Sequence, residues 1–558
     1  MRIKRLLALL ICVLLLSGCA KTEIPETTAP EATASGAAVD TAEEVTRKSP
    51  MRSPEELAQL GTGEEGTTGT WYEIFVYTFC DSNGDGIGDI PGVISKLDYL
   101  QELGIDGIWL MPIHPSTTYH KYNVADYYAI DPSYGTMEDF DRLIAECDAR
   151  GIRVILDLVV NHTADNHPWF RECAQYLFRL PEGQTPSLEE CPYLEYYNWI
   201  PKEEATGGSW NVLAGSDYAY ECPFDHAMPD LNWGSEKVRA EVKSIMEFWL
   251  GKGVSGFRLD AAKEYYSGTV EKNVEVLSWI TETAKSIDLD CYLVAEVWDG
   301  FGTVTEFYRS GIDSLFNFPF ADSTGKIIQV LRAAGNPATV NTYATALQKA
   351  DTAYRGSNEG YTDAPFLSNH DVGRIYGFCA GDENKIKLAG AMNLMMSGNA
   401  FIYYGEELAM PGSGNDPSKR APMLWNLTGT DGVTNPPRDC TIPEYPLGSL
   451  QEQQEDDFSV YNYYRRAIAI RSALTVIREG IPTAESALNQ GCVSAVRKTW
   501  GDQECIILMN IQEGEETVDL SNYAQWNLTA YLTTGEDPVT LENTTLTLPA
   551  WGVAILTK

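Results

Sequence analysis

Gly256-Phe257-Arg258-Leu259-Asp260-Ala261 is a short apolar run that carries an arginine and then a carboxylate. Side chains two apart in a strand share a face, so Arg258 and Asp260 point the same way. Helical periodicity precedes the run over residues 236–250 and follows it over 270–286, as expected for one strand of a helix-covered parallel sheet. Such a strand is buried, and an unpaired buried charge is costly, so charges at its end need a partner or a use.

The same alternation extends in both directions. Strands are expected at residues 71–76, 107–113, 153–160, 254–261, 292–297, 314–318, 364–369 and 400–404. Periodic helical segments lie between them, at 91–103, 137–150, 236–250, 270–286 and 384–396. Eight strands with intervening helices predict an α/β chain built on a closed (β/α)8 TIM barrel, over residues 70–161 and 231–472. The third gap is abnormally long. Its residues 162–230 are rich in Trp, Tyr, Pro and Gly with little helical periodicity, and read as a small inserted domain after the third strand. Beyond the helix near 461–471, short alternating runs such as 505–510 and 544–548 predict a C-terminal antiparallel β-sandwich domain over 473–558.

In such a barrel, chemistry sits at the C-terminal ends of the strands. Those ends carry Asp157 with Asn161-His162, Arg258 with Asp260, Glu296, and Asn369-His370-Asp371. A single acid there fits an internal ion pair; several from four strands point to catalysis. Two carboxylates flanking an acetal are what glycoside hydrolysis uses, about 5–5.5 Å apart when configuration is retained. One attacks the anomeric carbon, which Arg258 favours by keeping Asp260 ionised. The other delivers a proton, so Glu296 needs a raised pKa.

Asp157-Leu-Val-Val-Asn161-His162, Gly256 to Ala261, Ala295-Glu296-Val297-Trp298 and Phe366-Leu-Ser-Asn369-His370-Asp371 resemble the four short conserved regions of the α-amylase family of glycoside hydrolases. Met228-Pro229-Asp230-Leu231-Asn232 is similar to that family's further region at the end of the inserted domain, and residues 398–407 to its eighth-strand region. The resemblance implies Asp260 as nucleophile, Glu296 as acid/base and Asp371 as the residue that binds sugar hydroxyls and favours the distorted ring. It also implies a sugar-binding set of Tyr122, His162, Arg258, Lys263, His370 and Arg374, with Asp157 as a support. Three positions depart from the family pattern: Lys263-Glu264 where a Lys-His pair is frequent, Tyr122-Asn123 for Tyr-Asp, and Gly398-Asn399-Ala400 for Gly-x-Pro. The implied activity is endo-hydrolysis of α-1,4 bonds in starch and maltodextrins. Neopullulanase-like, cyclomaltodextrinase-like and oligo-1,6-glucosidase-like hydrolysis, glucosyl transfer, and glucan binding without turnover are the alternatives.

Asp81-Ser82-Asn83-Gly84-Asp85-Gly86-Ile87-Gly88-Asp89 places oxygen donors at alternate positions, with glycines for the tight turn. Hard donors at that spacing suit Ca2+, held by Asp81, Asn83, Asp85, the Ile87 carbonyl and Asp89; Gly92 at the twelfth position excludes an EF-hand. A similar loop after the first strand binds calcium in many relatives of the resembled family.

At the N-terminus, a basic start and the apolar residues 6–16 read as a signal sequence over 1–18. Leu16-Ser17-Gly18-Cys19-Ala20 resembles a bacterial lipobox, making Cys19 the expected lipid anchor of an exported chain that faces the cell exterior. Residues 19–69, rich in Thr, Ala, Glu, Gly and Pro, read as a disordered tether. The formal charge of −38 argues against nucleic acid or anionic lipid as ligands; the partner that the family resemblance implies is an α-glucan, with the membrane met through the lipid anchor only. The cysteines after Cys19 form no C-x-x-C pair, so no zinc or redox motif emerges.

Overall fold

The computed structural model describes residues 48–61, 66–441 and 444–558. The signal sequence and Cys19 lie outside the described residues.

Strands β1 (Thr70–Ile74), β2 (Gly107–Leu110) and β3 (Arg153–Leu158) start the barrel. Strands β4 (Trp199–Pro201), β5 (Trp210–Val212) and β6 (Tyr218–Glu221) belong to the insertion. Strands β7 (Gly256–Leu259), β8 (Tyr292–Ala295), β9 (Ser314–Leu315) and β10 (Ala400–Tyr403) continue the barrel. Its parallel sheet runs β10-β1-β2-β3-β7-β8-β9. The seventh position, expected as a strand over 364–369, is an extended segment with one parallel bridge, Phe316 to Ala364. Pro365 has no N–H to donate, which interrupts the ladder. The segment still closes the barrel: Asn317 N–H donates to the Ala364 carbonyl (3.0 Å) and Phe401 N–H to that of Pro365 (2.8 Å).

The barrel interior is aromatic at its base. Trp71, Trp109, Ile155, Tyr292, Val294, Phe316, Phe366 and Phe401 form one buried cluster, with the Trp71 and Tyr292 rings stacked at 5.2 Å. Gly256 faces this crowd. A Cβ there would lie 1.9 Å from the Tyr292 carbonyl oxygen, so only glycine lets β7 approach β8.

The insertion departs from its expected character. It contains an α-helix, Pro168–Arg179, that buries Phe170, Cys173 and Leu177, beside the small antiparallel sheet β4-β6-β5. Two bridges pin the insertion: His162 to Asp230 joins its two ends, and Tyr197 to Leu231 joins its middle to the residue where the barrel resumes.

The C-terminal domain places β11 (Ile481–Ala484), β12 (Val493–Trp500), β13 (Gln503–Asn510), β15 (Asn527–Leu532) and β18 (Val553–Thr557) in one antiparallel sheet. A second sheet contains β14 (Glu516–Asp519), β16 (Thr540–Glu542) and β17 (Thr545–Leu548). Alternation divides the larger sheet's faces. Ile506, Leu508, Ala554 and Leu556 pack in the core between the sheets, while Cys505, Ile507, Met509 and Ile555 join the barrel's core.

The expected tether is too long at its C-terminal end. Within residues 49–61, Met51 and Leu57 are buried, because this stretch carries apolar side chains and a capped helix that the rest of the chain covers. Ser53 and Glu56 form a reciprocal capping box on the helix Pro54–Ala58, and Leu57 is 1% exposed. The Tyr531 hydroxyl donates to the Pro50 carbonyl (2.7 Å), Arg466 Nε to that of Arg52 (3.3 Å), and Ser49 N–H to Asp457 (3.2 Å).

Candidate active site

Strand alternation converts the apolar barrel base into a polar mouth. The inward series runs Trp71 to Glu73 on β1, Ile155 to Asp157 on β3, Gly256 to Arg258 to Asp260 along β7, and Tyr292 to Val294 to Glu296 along β8. Register then sets neighbours: Asp157 lies opposite Arg258, and Arg258 opposite Val294.

Arg258 is the hub. Its Nη1 donates to Asp157 (2.9 and 3.1 Å) and to Asp260 (2.6 Å), and its Nη2 donates to Glu296 (2.8 Å). The guanidinium lies 5.0 Å from the Trp109 ring centroid. One cation thus serves three buried carboxyl groups, which leaves an excess of negative charge. Burial raises the pKa of Glu296, opposed by Arg258 and reinforced by Asp260 and Asp371. Burial likewise pushes Asp157 up, to about 7, against Arg258. Glu296 lines the cavity and Asp157 does not, so the proton within reach of a ligand is that of Glu296. Its Oε2 also accepts from the Ala261 N–H (3.1 Å), and Ala261 is held at φ +46°, a strained conformation for a residue with a side chain.

A second cationic group surrounds Asp371. His370 Nε2 lies 3.0 Å from one Asp371 oxygen, and Arg420 Nη2 is 2.9 Å from the other. His370 Nδ1 lies 2.6 Å from Glu73. Burial opposes a charge on His370, but Asp371 and Glu73 outweigh it and push its pKa up to about 10. Burial also opposes the charge on Asp371, yet His370 and Arg420 hold its carboxyl well below the usual range. The site therefore holds a firmly ionised carboxylate, Asp371, and a readily protonated one, Glu296. This is the division of labour that acid-assisted glycoside cleavage uses.

These groups open into a cavity of about 540 Å3 lined by Asp260, Glu296, Asp371, Tyr122, His162 and His120, with Phe224, Met228, Trp298, Asp416 and Arg420. Tyr122 stacks on His370 with centroids 5.3 Å apart and donates its hydroxyl to Asp157 (2.9 Å). His162 contacts the Tyr122 carbonyl (3.2 Å); burial lowers its pKa.

Four expected sugar contacts are placed otherwise, the first being Arg258, which is 1% exposed with its terminal nitrogens taken up by carboxyl groups. His370 is wholly buried with both ring nitrogens engaged, so it positions Asp371 from beneath. Arg374 lies behind the cavity, 4.3 and 4.7 Å from the Tyr403 and Tyr404 rings. It donates to the carbonyls of Tyr404 (2.6 Å) and Lys419 (3.0 Å), which fixes loops rather than ligand. Lys263 Nζ is taken up by the Trp298 carbonyl (2.8 Å), steadying the loop after β8. The arginine that reaches the cavity is Arg420, which sequence reasoning did not single out. Trp298, Phe224 and Met228 lay in or near the quoted stretches, and their aromatic or apolar character was the available signal.

In the Asp81–Asp89 loop, Asp81 accepts from the N–H groups of Asn83 (2.9 Å), Gly84 (2.7 Å) and Gly86 (2.6 Å). Asp89 accepts from Ser82 Oγ (2.8 Å) and from Gly92 N–H (2.6 Å). Asn83 accepts from Asp85 N–H (2.9 Å), and Asp85 from Ile87 N–H (2.8 Å). Among the described residues, no three His, Cys, Asp or Glu side chains gather as a metal-holding group.

Residues 73–480 match the family profile described as alpha amylase, catalytic domain. Alpha-amylase 3 of Dictyoglomus thermophilum is 38% identical over 462 residues, spanning 81% of this chain and 86% of its own. The oligo-1,6-glucosidase of Parageobacillus thermoglucosidasius is 30% identical over 525 residues, spanning 79% and 89%. Among solved structures, Eubacterium rectale Amy13B superposes with a TM-score of 0.87 at 40% identity, covering 92% of this chain and 99% of that one. A profile match across most of the chain, with relatives alike along most of their length, means that the chain belongs to the α-amylase family of glycoside hydrolases.

Proposed function

We propose that this chain hydrolyses α-1,4-glucosidic bonds within starch and maltodextrins, with retention of configuration. The observation that carries this reading is the single Arg258 guanidinium gripping Asp260 with one terminal nitrogen and Glu296 with the other, at 2.6 and 2.8 Å. Carboxyl groups tethered to one fork stay close together, as a covalent glycosyl intermediate demands. Asp260 attacks the anomeric carbon while Glu296 protonates the departing glycosidic oxygen; Glu296 then takes a proton from the water that releases the sugar. Asp371 holds ring hydroxyls and favours the flattened, positively charged transition state. Replacing Asp260 by Asn is expected to cut kcat by on the order of 10^4-fold or more with the fold intact by circular dichroism. Turnover close to wild type would remove Asp260 from its role.

One rim favours a second reading, cleavage at the ends of short or α-1,6-linked chains. Arg420 bridges Asp371 to Asp416 (2.9 Å each), and Tyr119 donates to Asp416 (2.8 Å), a cluster that walls the cavity beside Asp371. Product analysis over time on amylose, isomaltose, pullulan and cyclodextrin separates the two. Mixed maltodextrins from amylose support internal cleavage; glucose alone, with fast isomaltose hydrolysis, supports the second.

The oxygen-only donor set of Asp81, Asn83, Asp85, Asp89 and the Ile87 carbonyl fits a hard cation by its chemistry, and we assign Ca2+ there a structural part in stiffening the first βα loop. Treatment with EDTA is expected to lower Tm, and added Ca2+ to restore it. An unchanged Tm with no bound metal would dismiss the assignment. Export and anchoring through Cys19 belong to the same proposal, as the way such an enzyme meets a polymer.

A further inference from the structure

The described residues contain ten cysteines, and two of them meet inside the inserted domain. Cys173 sits on the buried face of the helix Pro168–Arg179, and Cys191 precedes the short helix Pro192–Tyr196. Their sulfurs are 3.9 Å apart, across 18 positions of sequence. Their exposures are 0% and 1%. A disulfide has an S–S distance of about 2.03–2.05 Å, so each sulfur has about 1 Å to travel, within the reach of a side-chain rotation.

A separate contact brings the same two segments together. The Tyr176 hydroxyl, one turn along the helix, donates to Glu190 (2.8 Å) and accepts from the Ser187 N–H (2.9 Å). The ends of the loop are therefore held in register without help from sulfur. A shared metal is a poor account of the pair, since no third His, Cys, Asp or Glu joins it among the described residues.

We propose that Cys173 and Cys191 are joined as a disulfide that staples the insertion's helix Pro168–Arg179 to the short helix Pro192–Tyr196. The segment leaving Cys191 carries Tyr196, whose carbonyl accepts from Asn232 N–H (2.7 Å). It also carries Tyr197, whose hydroxyl pairs with Thr163 (2.8 Å), next to His162. The oxidant is a disulfide, either of a thiol–disulfide oxidoreductase or of glutathione. One cysteine thiolate attacks it, the second attacks the mixed disulfide, and the S–S bond forms as two electrons and two protons leave with the oxidant as two thiols. Burial raises both thiols above their ordinary pKa, so exchange belongs to the folding chain, before the helix packs.

The test refolds the full chain in a glutathione redox buffer or in dithiothreitol, followed by alkylation, intact mass and non-reducing peptide mapping. Refolding with glutathione disulfide is expected to give a chain two mass units lighter, with the Cys173 and Cys191 peptides linked. Its Tm should exceed that of the reduced chain by on the order of 5 °C. Cys173→Ala with Cys191→Ala should abolish both the link and the difference. Alkylation of both residues after refolding in glutathione disulfide, or linkage of either to another cysteine, would overturn the proposal. So would a linked pair whose melting matches the reduced chain.

Discussion

Glu73 is the residue whose role is most easily overlooked and most easily tested. It sits on β1, 2% exposed, two positions beyond Trp71 on the inward face, and accepts from His370 Nδ1 at 2.6 Å. With Asp371 it raises the folded-state pKa of His370 to about 10, above the ordinary value of about 6.5. A raised pKa of this kind adds stability that is complete below about pH 6.5 and drains away as pH climbs through about 10. Glu73→Gln removes one of the two anions, so the alkaline fall in Tm should set in at lower pH. Activity at pH 9 should drop roughly tenfold relative to wild type, with a smaller loss at pH 6. Coincident pH profiles would show that Glu73 does not govern His370. The acidic strand ends Asp157, Asp260, Glu296 and Asp371 were legible because each breaks an apolar run at a place where a barrel concentrates chemistry. Glu73 breaks its run in the same way, but it falls in none of the stretches that resemble a family region, so nothing beyond the single charge marked it out. Arg420 gave no such signal: it comes from a loop, where a charge is ordinary, and tertiary structure alone brings it to Asp371.

Among the elements, β7 depends on the absence of a side chain. At Gly256 a methyl group would meet the backbone of β8 at 1.9 Å, and backbone cannot rotate away. Gly256→Ala is expected to destabilise the barrel by about 3 kcal/mol or more, read as the denaturant midpoint or as loss of soluble protein. A midpoint unchanged from wild type would show that the two strands can part. Strand positions were readable from apolar runs, but their lengths were not. Ser314–Leu315 is a two-residue strand where five residues were expected, and Pro365 reduces the seventh to a bridge. The helix Pro168–Arg179 was missed although Phe170, Cys173 and Leu177 fall at helical spacing. The Trp, Tyr, Pro and Gly of the surrounding insertion obscured a period only three turns long.

At the scale of the whole molecule, the large acidic surplus suits a neutral substrate, and the three-part architecture followed from the change of period along the chain. The end of the expected N-terminal tether did not, because a short amphipathic stretch in polar surroundings looks like linker until its partner surface is known. That surface includes the helix Val460–Ala473 and β15, and the buried Leu57 is its test. Leu57→Ala should cost about 2–4 kcal/mol, measured by chemical denaturation, with kcat/KM on maltodextrin unaltered. A cost below about 0.5 kcal/mol would mean that the segment is only laid on the surface. The hydrogen bonds that Tyr531 and Arg466 donate to Pro50 and Arg52, and that Asp457 accepts from Ser49, also give this strap a mechanical meaning. A pull arriving from the residues before Lys48 is shared at once between the last barrel helix and the C-terminal sheet, neither of which lines the cleft. Tension can thus be borne in shear by the rear of the protein while the jaws that hold sugar stay slack.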